Sequence, residues 1–242
     1  MPTDPPESSP FAAAAPGSGP AAVRDASTVV ILRPTLAAPE ILMLRRSAKS
    51  PFMPSTLVFP GGRRDDEDGP ASDDAAWVTA AVRECVEEAD LRIEPAQLRW
   101  FDTWLTPSAE PRRRYLARFF VCELASADGT DARADGHETH DERWATVAEH
   151  LRAHDAGEVD LPPPTLSILL RLQAQPMARI LDVDPRPPIL PKFVFDDGRP
   201  TILMPHDPAY DRALGDGAPP PHDRLTDLPT RFVREADRWQ PA

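Results

Sequence analysis

The chain has 242 residues and a formal charge of −12, long enough to bury the core of one substantial domain and too acidic for a general binder of nucleic-acid polymers, which needs a basic surface to displace counterions. Its 31 prolines are more than twice the usual ~5% and crowd at the amino end, at Pro162 to Pro164 and beyond Pro185, so much of the periphery is expected to be extended or irregular. Two cysteines, Cys85 and Cys122, exclude a disulfide scaffold and offer no second Cys/His pair at zinc spacing; no apolar run approaches the ~18–20 residues of a membrane span, and no signal-peptide core precedes Pro16, which together predict a soluble protein of the cytoplasm that binds neither a membrane nor nucleic acid.

Residues 1–24, rich in Pro, Ala, Ser and Gly, read as a flexible leader, because they carry too little apolar surface to offset the entropy of ordering. A catalytic domain is expected over 25–182 and a carboxy-terminal extension over 183–242. Thr28 to Leu32 and Ile41 to Leu44 form apolar runs separated by Pro34 and Pro39, which predicts an antiparallel pair starting near Ala26. Leu57-Val58-Phe59 is a third short strand, stopped by Pro60-Gly61-Gly62. Asp73 and Asp74 offer cap carboxylates to a helix ending at Leu91, with Val78, Val82, Val86 and Ala89 as its expected buried stripe. Leu98 to Leu105 and Tyr115 to Leu124 read as strands, the second apolar enough to be central in the sheet; the loop between them carries Arg112, Arg113 and Arg114. Trp144 to Ala153 and Thr165 to Gln173 are helix candidates, the latter entered through a triple proline. Lys192 to Phe195, the turn Asp196-Asp197-Gly198-Arg199 and Thr201 to Met204 predict a hairpin. A short helix is expected around Phe232 to Trp239, and there is no internal repeat.

One feature carries chemistry. Glu84, Glu87 and Glu88 stand at i, i+3 and i+4 and are therefore neighbours on the surface of one helix, where like charges repel unless something neutralises them. A hard divalent cation such as Mg²⁺ suits such oxygens and is often held by a few carboxylates together with substrate phosphates. Taken alone, three glutamates on a helix are more often a solvated face than a metal site. His137 and His140 lack further zinc partners and read as solvated loop residues. Asp65 to Asp68 reads as an exposed acidic turn, with a second cation site as its alternative, and Cys85, off the metal row and with no base beside it, as a packing residue.

The glycines followed by a helix with this acid pattern resemble the Nudix hydrolase signature: G, five residues, E, seven residues, R-E-U-x-E-E-x-G-U, with U apolar. Arg83-Glu84-Cys85-Val86-Glu87-Glu88-Ala89-Asp90-Leu91 matches its second half at the arginine, the three glutamates and the closing apolar residue, with Asp90 in place of glycine. Phe59-Pro60-Gly61-Gly62 supplies the glycine entry. From Gly62 to Arg83 is 83 − 62 = 21 positions where the signature has 14, so seven residues are inserted. Counting back from Arg83 puts Ala75 at the first-glutamate position, with Asp73 or Asp74 as the stand-in.

Upstream, Leu42-Met43-Leu44-Arg45-Arg46-Ser47 followed by Phe59-Pro60-Gly61-Gly62 keeps the intervals of the motif of coenzyme A-cleaving Nudix enzymes, with Pro51 for its arginine and Ser55 for its glycine. A loop inserted in the Nudix box is shared with the peroxisomal type of coenzyme A diphosphatase, although Gln240-Pro241-Ala242 is no peroxisomal address. The resemblance implies a Nudix-fold α/β/α sandwich with a mixed sheet, extended here by the carboxy-terminal hairpin. It implies Mg²⁺- or Mn²⁺-dependent hydrolysis of a small-molecule nucleoside diphosphate derivative, with coenzyme A or an acyl derivative favoured. ADP-ribose, a nicotinamide dinucleotide, a dinucleoside polyphosphate or a non-catalytic nucleotide-sensing role are the alternatives.

The expected metal ligands are Glu84, Glu87, Glu88 and the Gly61 carbonyl. Glu84, Glu138 or Glu142 is the candidate base, Glu138 foremost as the acid ahead of Trp144, while Arg83 orients a neighbouring glutamate. Arg45, Arg46, Gly62, Arg113 and Arg114 are the candidate substrate contacts, one of Arg45 and Arg46 facing the cleft by strand alternation. The extension is expected to cap the cleft or to form a homodimer contact.

Overall fold

A computed structural model describes residues 21–48, 55–110, 113–125, 132–134, 136 and 139–242, without the side chains of 139 and 140. Strand β1 (Val23–Arg33) pairs antiparallel with β2 (Glu40–Arg46), Leu32 opposite Ile41. The chain continues through β3 (Leu57–Val58), beside β2, and β4 (Gly61–Arg63), beside β1. Helix α1 (Asp74–Ala89) follows, then β5 (Arg99–Leu105), β6 (Arg114–Glu123) and β7 (Thr139–Thr146), the last against β2. Strand β6 lies parallel to β1 and antiparallel to β5, so the sheet is mixed and β6 is interior as its apolar run predicts.

Alternation along β1 divides the molecule into two cores. Val29 and Ile31 join Leu42, Leu44, Phe120 and Cys122 under α1, which buries Trp77, Ala81, Cys85 and Ala89. Val30 joins Ile41, Met43, Phe119 and Val121 on the opposite face, beneath α2 (Val147–Asp155) and α3 (Pro163–Ala174). That is the expected α/β/α sandwich. The predicted valine stripe of α1 is corrected: Val86 is exposed and Val78 and Val82 are half-buried. The helix turns its alanines and Trp77 inward because small side chains let it approach the sheet closely. Trp144 belongs to β7 rather than to a helix, and α2 starts where Thr146 and Glu149 form a reciprocal cap.

Beyond the short α4 (Met177–Ile180), residue Ile189 bridges to Trp104 of β5 with hydrogen bonds of 2.8 and 2.9 Å. The expected hairpin is β8 (Lys192–Asp196) and β9 (Arg199–Leu203), turned by Asp197 and Gly198 at positive φ. After the one-turn α5 (His222–Leu225), the helix predicted near Phe232 is instead a second hairpin, β10 (Arg231–Glu235) and β11 (Arg238–Pro241), completing a four-stranded antiparallel sheet. Positive φ at Ala236 and Asp237 makes the tight turn a helix could not contain. Phe232 and Trp239 belong to the core under α2 and α3, so the extension lies against that face. Among the described residues, no helix is long and apolar enough to cross a membrane.

Candidate active site

Two glycines bring the carboxylates of α1 to the sheet. Gly62 lies opposite Ser27 on β1, and a Cβ placed on it would stand 2.5 Å from the Glu84 carboxylate, so only glycine admits that acid. Gly61 has φ +154, and a Cβ there would meet the Ser27 carbonyl at 2.4 Å. Its backbone N–H donates to Glu88 Oε2 at 3.0 Å. Glu84 and Glu88 are accordingly 8% and 5% exposed, a degree of burial an acid reaches only when other groups satisfy it. Asp73 caps the start of α1 by accepting from Ala75 N–H at 2.9 Å, and Asp90 closes it in the left-handed conformation at φ 50, the position where the signature has glycine.

Arg83 organises the rim. Its Nε and Nη2 donate to Asp68 at 3.0 and 2.8 Å, its Nη1 to Glu84 and Glu87 at 2.9 Å each, and Nη2 also to the Arg63 carbonyl at 2.8 Å. Paired to this guanidinium, the Asp68 carboxyl is held below the usual carboxylate range, and Arg83 is held above its ordinary value. Glu87, whose side chain is 56% exposed, turns to Arg83 rather than to Gly61 and Gly62. Among the described residues no three His, Cys, Asp or Glu side chains converge closely enough to hold a metal ion. Glu84 and Glu88 do converge on Gly61 and Gly62, and the all-oxygen donor set suits a hard divalent cation, with Glu87 beside Glu88 in the same helical turn.

Asp68 is the residue that sequence reasoning missed. It is buried, part of a helical turn at Asp66–Asp68, and corrects the reading of Asp65 to Asp68 as an exposed turn. Neither Asp73 nor Asp74 takes the first-glutamate place, since Asp73 caps α1 and Asp74 pairs with Arg118. Counting forward from Gly62 finds Asp68 at 68 − 62 = 6, the signature's interval, so the seven-residue insertion falls after this acid.

The other candidates separate. On β2, Arg45 lies opposite Leu57 and so points to the α2–α3 face, contacting Asp141 and the Ser55 carbonyl; alternation gives Arg46 the α1 face. Arg114 is 5% exposed and is spent on the Thr106 carbonyl and on Asp216 of the extension, so it is an internal tie rather than a substrate contact; the buried guanidinium needed both acceptors. Arg113 is half-buried, and Arg112 lies outside the described residues. Glu138 and His137 also lie outside them. Glu142 lies opposite Leu44, on the α1 face, and accepts from Ala134 N–H at 3.1 Å, while Arg133 N–H reaches the Ala89 carbonyl at the end of α1. Cys85 is a packing residue; burial pushes its thiol well up, and that of Cys122 to about 11.

A family model described as NUDIX domain matches residues 23–163. The chain is 28% identical over 185 residues to a Caenorhabditis elegans protein named "Putative nudix hydrolase 7", and the match spans 62% of this chain and 60% of that protein. Among solved structures, a NUDIX hydrolase from Alicyclobacillus acidocaldarius is similar with a TM-score of 0.56 at 23% identity, over 69% of this chain and 99% of that one. The NUDIX domain of Shewanella oneidensis NrtR, solved with ADP ribose, is similar with a TM-score of 0.50 at 14% identity, over 64% of this chain and 88% of that one. At these identities the two structures speak for the fold.

Proposed function

The chain belongs to the NUDIX domain family, and on that premise we propose that it hydrolyses a diphosphate bond in a nucleoside diphosphate linked to another moiety, with Mg²⁺ or Mn²⁺ as cofactor. The observation that carries the reading is the convergence of the Glu84 and Glu88 carboxylates on Gly61 and Gly62, at an edge of α1 where Arg83 neutralises one side. Glu84 and Glu88, joined by Glu87, would hold the cation, which supplies charge neutralisation to the phosphoryl oxygens. Arg83, with every arm of its guanidinium engaged, orients Glu84 and Glu87 and does not touch the substrate. Asp68 fixes Arg83 from behind, as a buried bidentate acceptor. The attacking water gives its proton to a rim carboxylate, Glu84 or Glu142 among the described residues, and the bridging P–O bond breaks as the new one forms.

Coenzyme A or an acyl derivative is the favoured substrate. Its support is the preserved spacing of the upstream motif, together with the backbone of Ser55: at φ 61 it adopts the left-handed conformation that the motif's glycine takes most readily. A panel of coenzyme A, ADP-ribose, dinucleoside polyphosphate and nicotinamide dinucleotide, assayed in Mg²⁺ and Mn²⁺ with product masses, tests it. Phosphopantetheine as the fastest product is expected. Faster cleavage of another member replaces the substrate, and binding without turnover of any member replaces the enzyme with a nucleotide-sensing module.

A further inference from the structure

Four directly opposed residues make one row across the sheet beneath α1: Gly62 on β4, Ser27 on β1, Arg118 on β6 and Thr103 on β5. The first three each touch α1, at different heights. Gly62 meets the Glu84 carboxylate. Ser27, fully buried, donates its hydroxyl to the Trp77 carbonyl at 2.8 Å. The Arg118 guanidinium lies 4.1 Å from the Trp77 ring and 4.0 Å from the Trp100 ring, and donates to Asp74 at 2.7 Å. Thr103 completes the row by accepting from Trp100 Nε1 at 3.1 Å, which holds the outer ring of that sandwich.

From these contacts we infer that Ser27 and Arg118 are positioning residues for the metal-binding carboxylates, setting how far α1 sits along the sheet. The inference rests on the proposed role of Glu84 and Glu88. Trp77 and Glu84 are separated by seven residues, two helical turns or ~10 Å, so a contact at Trp77 fixes the height of Glu84 without touching it. A slip of one residue moves the helix ~1.5 Å and turns each side chain by ~100°, which takes Glu84 off Gly62 and Glu88 off the Gly61 N–H. Apart from Trp77, the fully buried apolar side chains of α1 are alanines and Cys85, small groups that interlock little with the sheet, so resistance to such a slip gathers at Trp77, where Ser27 and Arg118 make their contacts. The hydroxyl and the sandwiched guanidinium supply the register that packing leaves loose.

The test is Mn²⁺ binding by calorimetry, without substrate, for the parent chain, Ser27→Ala and Arg118→Met, beside Ile202→Val in the extension as a variant that lowers the melting temperature without touching α1. Ser27→Ala and Arg118→Met are expected to weaken Mn²⁺ binding by ~10-fold or more, the range for groups that support metal ligands, and to lower kcat at limiting Mn²⁺ with KM for the diphosphate substrate unchanged at saturating Mn²⁺. Ile202→Val is expected to bind as the parent does. Should Arg118→Met fail to fold, Ser27→Ala, which removes a single oxygen, decides alone. Parent-like Mn²⁺ affinity in a folded Ser27→Ala overturns the positioning role while leaving the metal site intact; a parent chain that binds no Mn²⁺ overturns the metal site and the positioning role together.

Discussion

The arginine–carboxylate clusters at Arg83 and at Asp102 have charge counts that run in opposite directions. At Arg83 one guanidinium serves Asp68, Glu84 and Glu87, an excess of negative charge whose outer member, Glu87, faces solvent. At Asp102 one carboxylate serves Arg171 at 3.2 Å and Arg224 at 2.5 Å, all three buried, with Arg224 also reaching the carbonyls of Pro185 and Pro187. The first cluster is short of positive charge and open on one side, the condition for taking up a cation. The second is closed, and ties β5, α3 and the extension into one core. The contrast teaches that burial of ion pairs does not by itself mark a site; an unbalanced count beside an open edge does.

The comparison breaks most visibly at Asp102. Asp102→Ala strips two buried guanidiniums of their shared partner and is expected to cost ~3–5 kcal/mol of stability, read from urea unfolding, while the folded fraction keeps its turnover; an unaltered midpoint would remove the cluster from the structural side. Asp68→Asn is next. It loosens Arg83 without removing a candidate metal ligand, and turnover is expected to fall by ~10–100-fold, with a smaller change in melting temperature than Asp102→Ala gives. Equal loss of stability in the two variants would erase the distinction drawn between them.

The smallest effect concerns His150, buried under β2 with its Nε2 on the Ile41 carbonyl and its pKa pushed below the ordinary 6.5 chiefly by burial. The unfolded chain then takes up a proton first as pH falls. The contribution is fully present above about pH 6.5 and declines below it. Urea midpoints at pH 7.5 and pH 5.5 are expected to differ less in His150→Gln than in the parent; an equal difference would assign the acid sensitivity elsewhere.

Much of this was legible in the chain. Asp73 before a helix with an apolar side and Asp197-Gly198 between two apolar runs are local signals, and local geometry obeys them. The Thr146-Val147-Ala148-Glu149 box marks the true start of α2 at Val147, three residues past the boundary expected at Trp144. The last hairpin was hidden because Arg231 to Trp239 carries no glycine at its turn; Ala236 and Asp237 take positive φ under the constraint of Phe232 and Trp239 in the core. Asp68 was readable only by counting from the glycines instead of from the helix, and the row through Ser27 and Arg118 exists only once β1, β4 and β6 are in register.

The central claim is that the Glu84–Glu88 edge of α1 is a metal-dependent hydrolytic site. Turnover of the best diphosphate substrate by Glu88→Gln, at saturating Mn²⁺ and with the melting temperature measured on the same sample, tests it most directly. The account predicts a fall of ~10³-fold, a loss of ~4 kcal/mol of transition-state stabilisation, in a chain that remains folded. Parent-like turnover in that variant would contradict it.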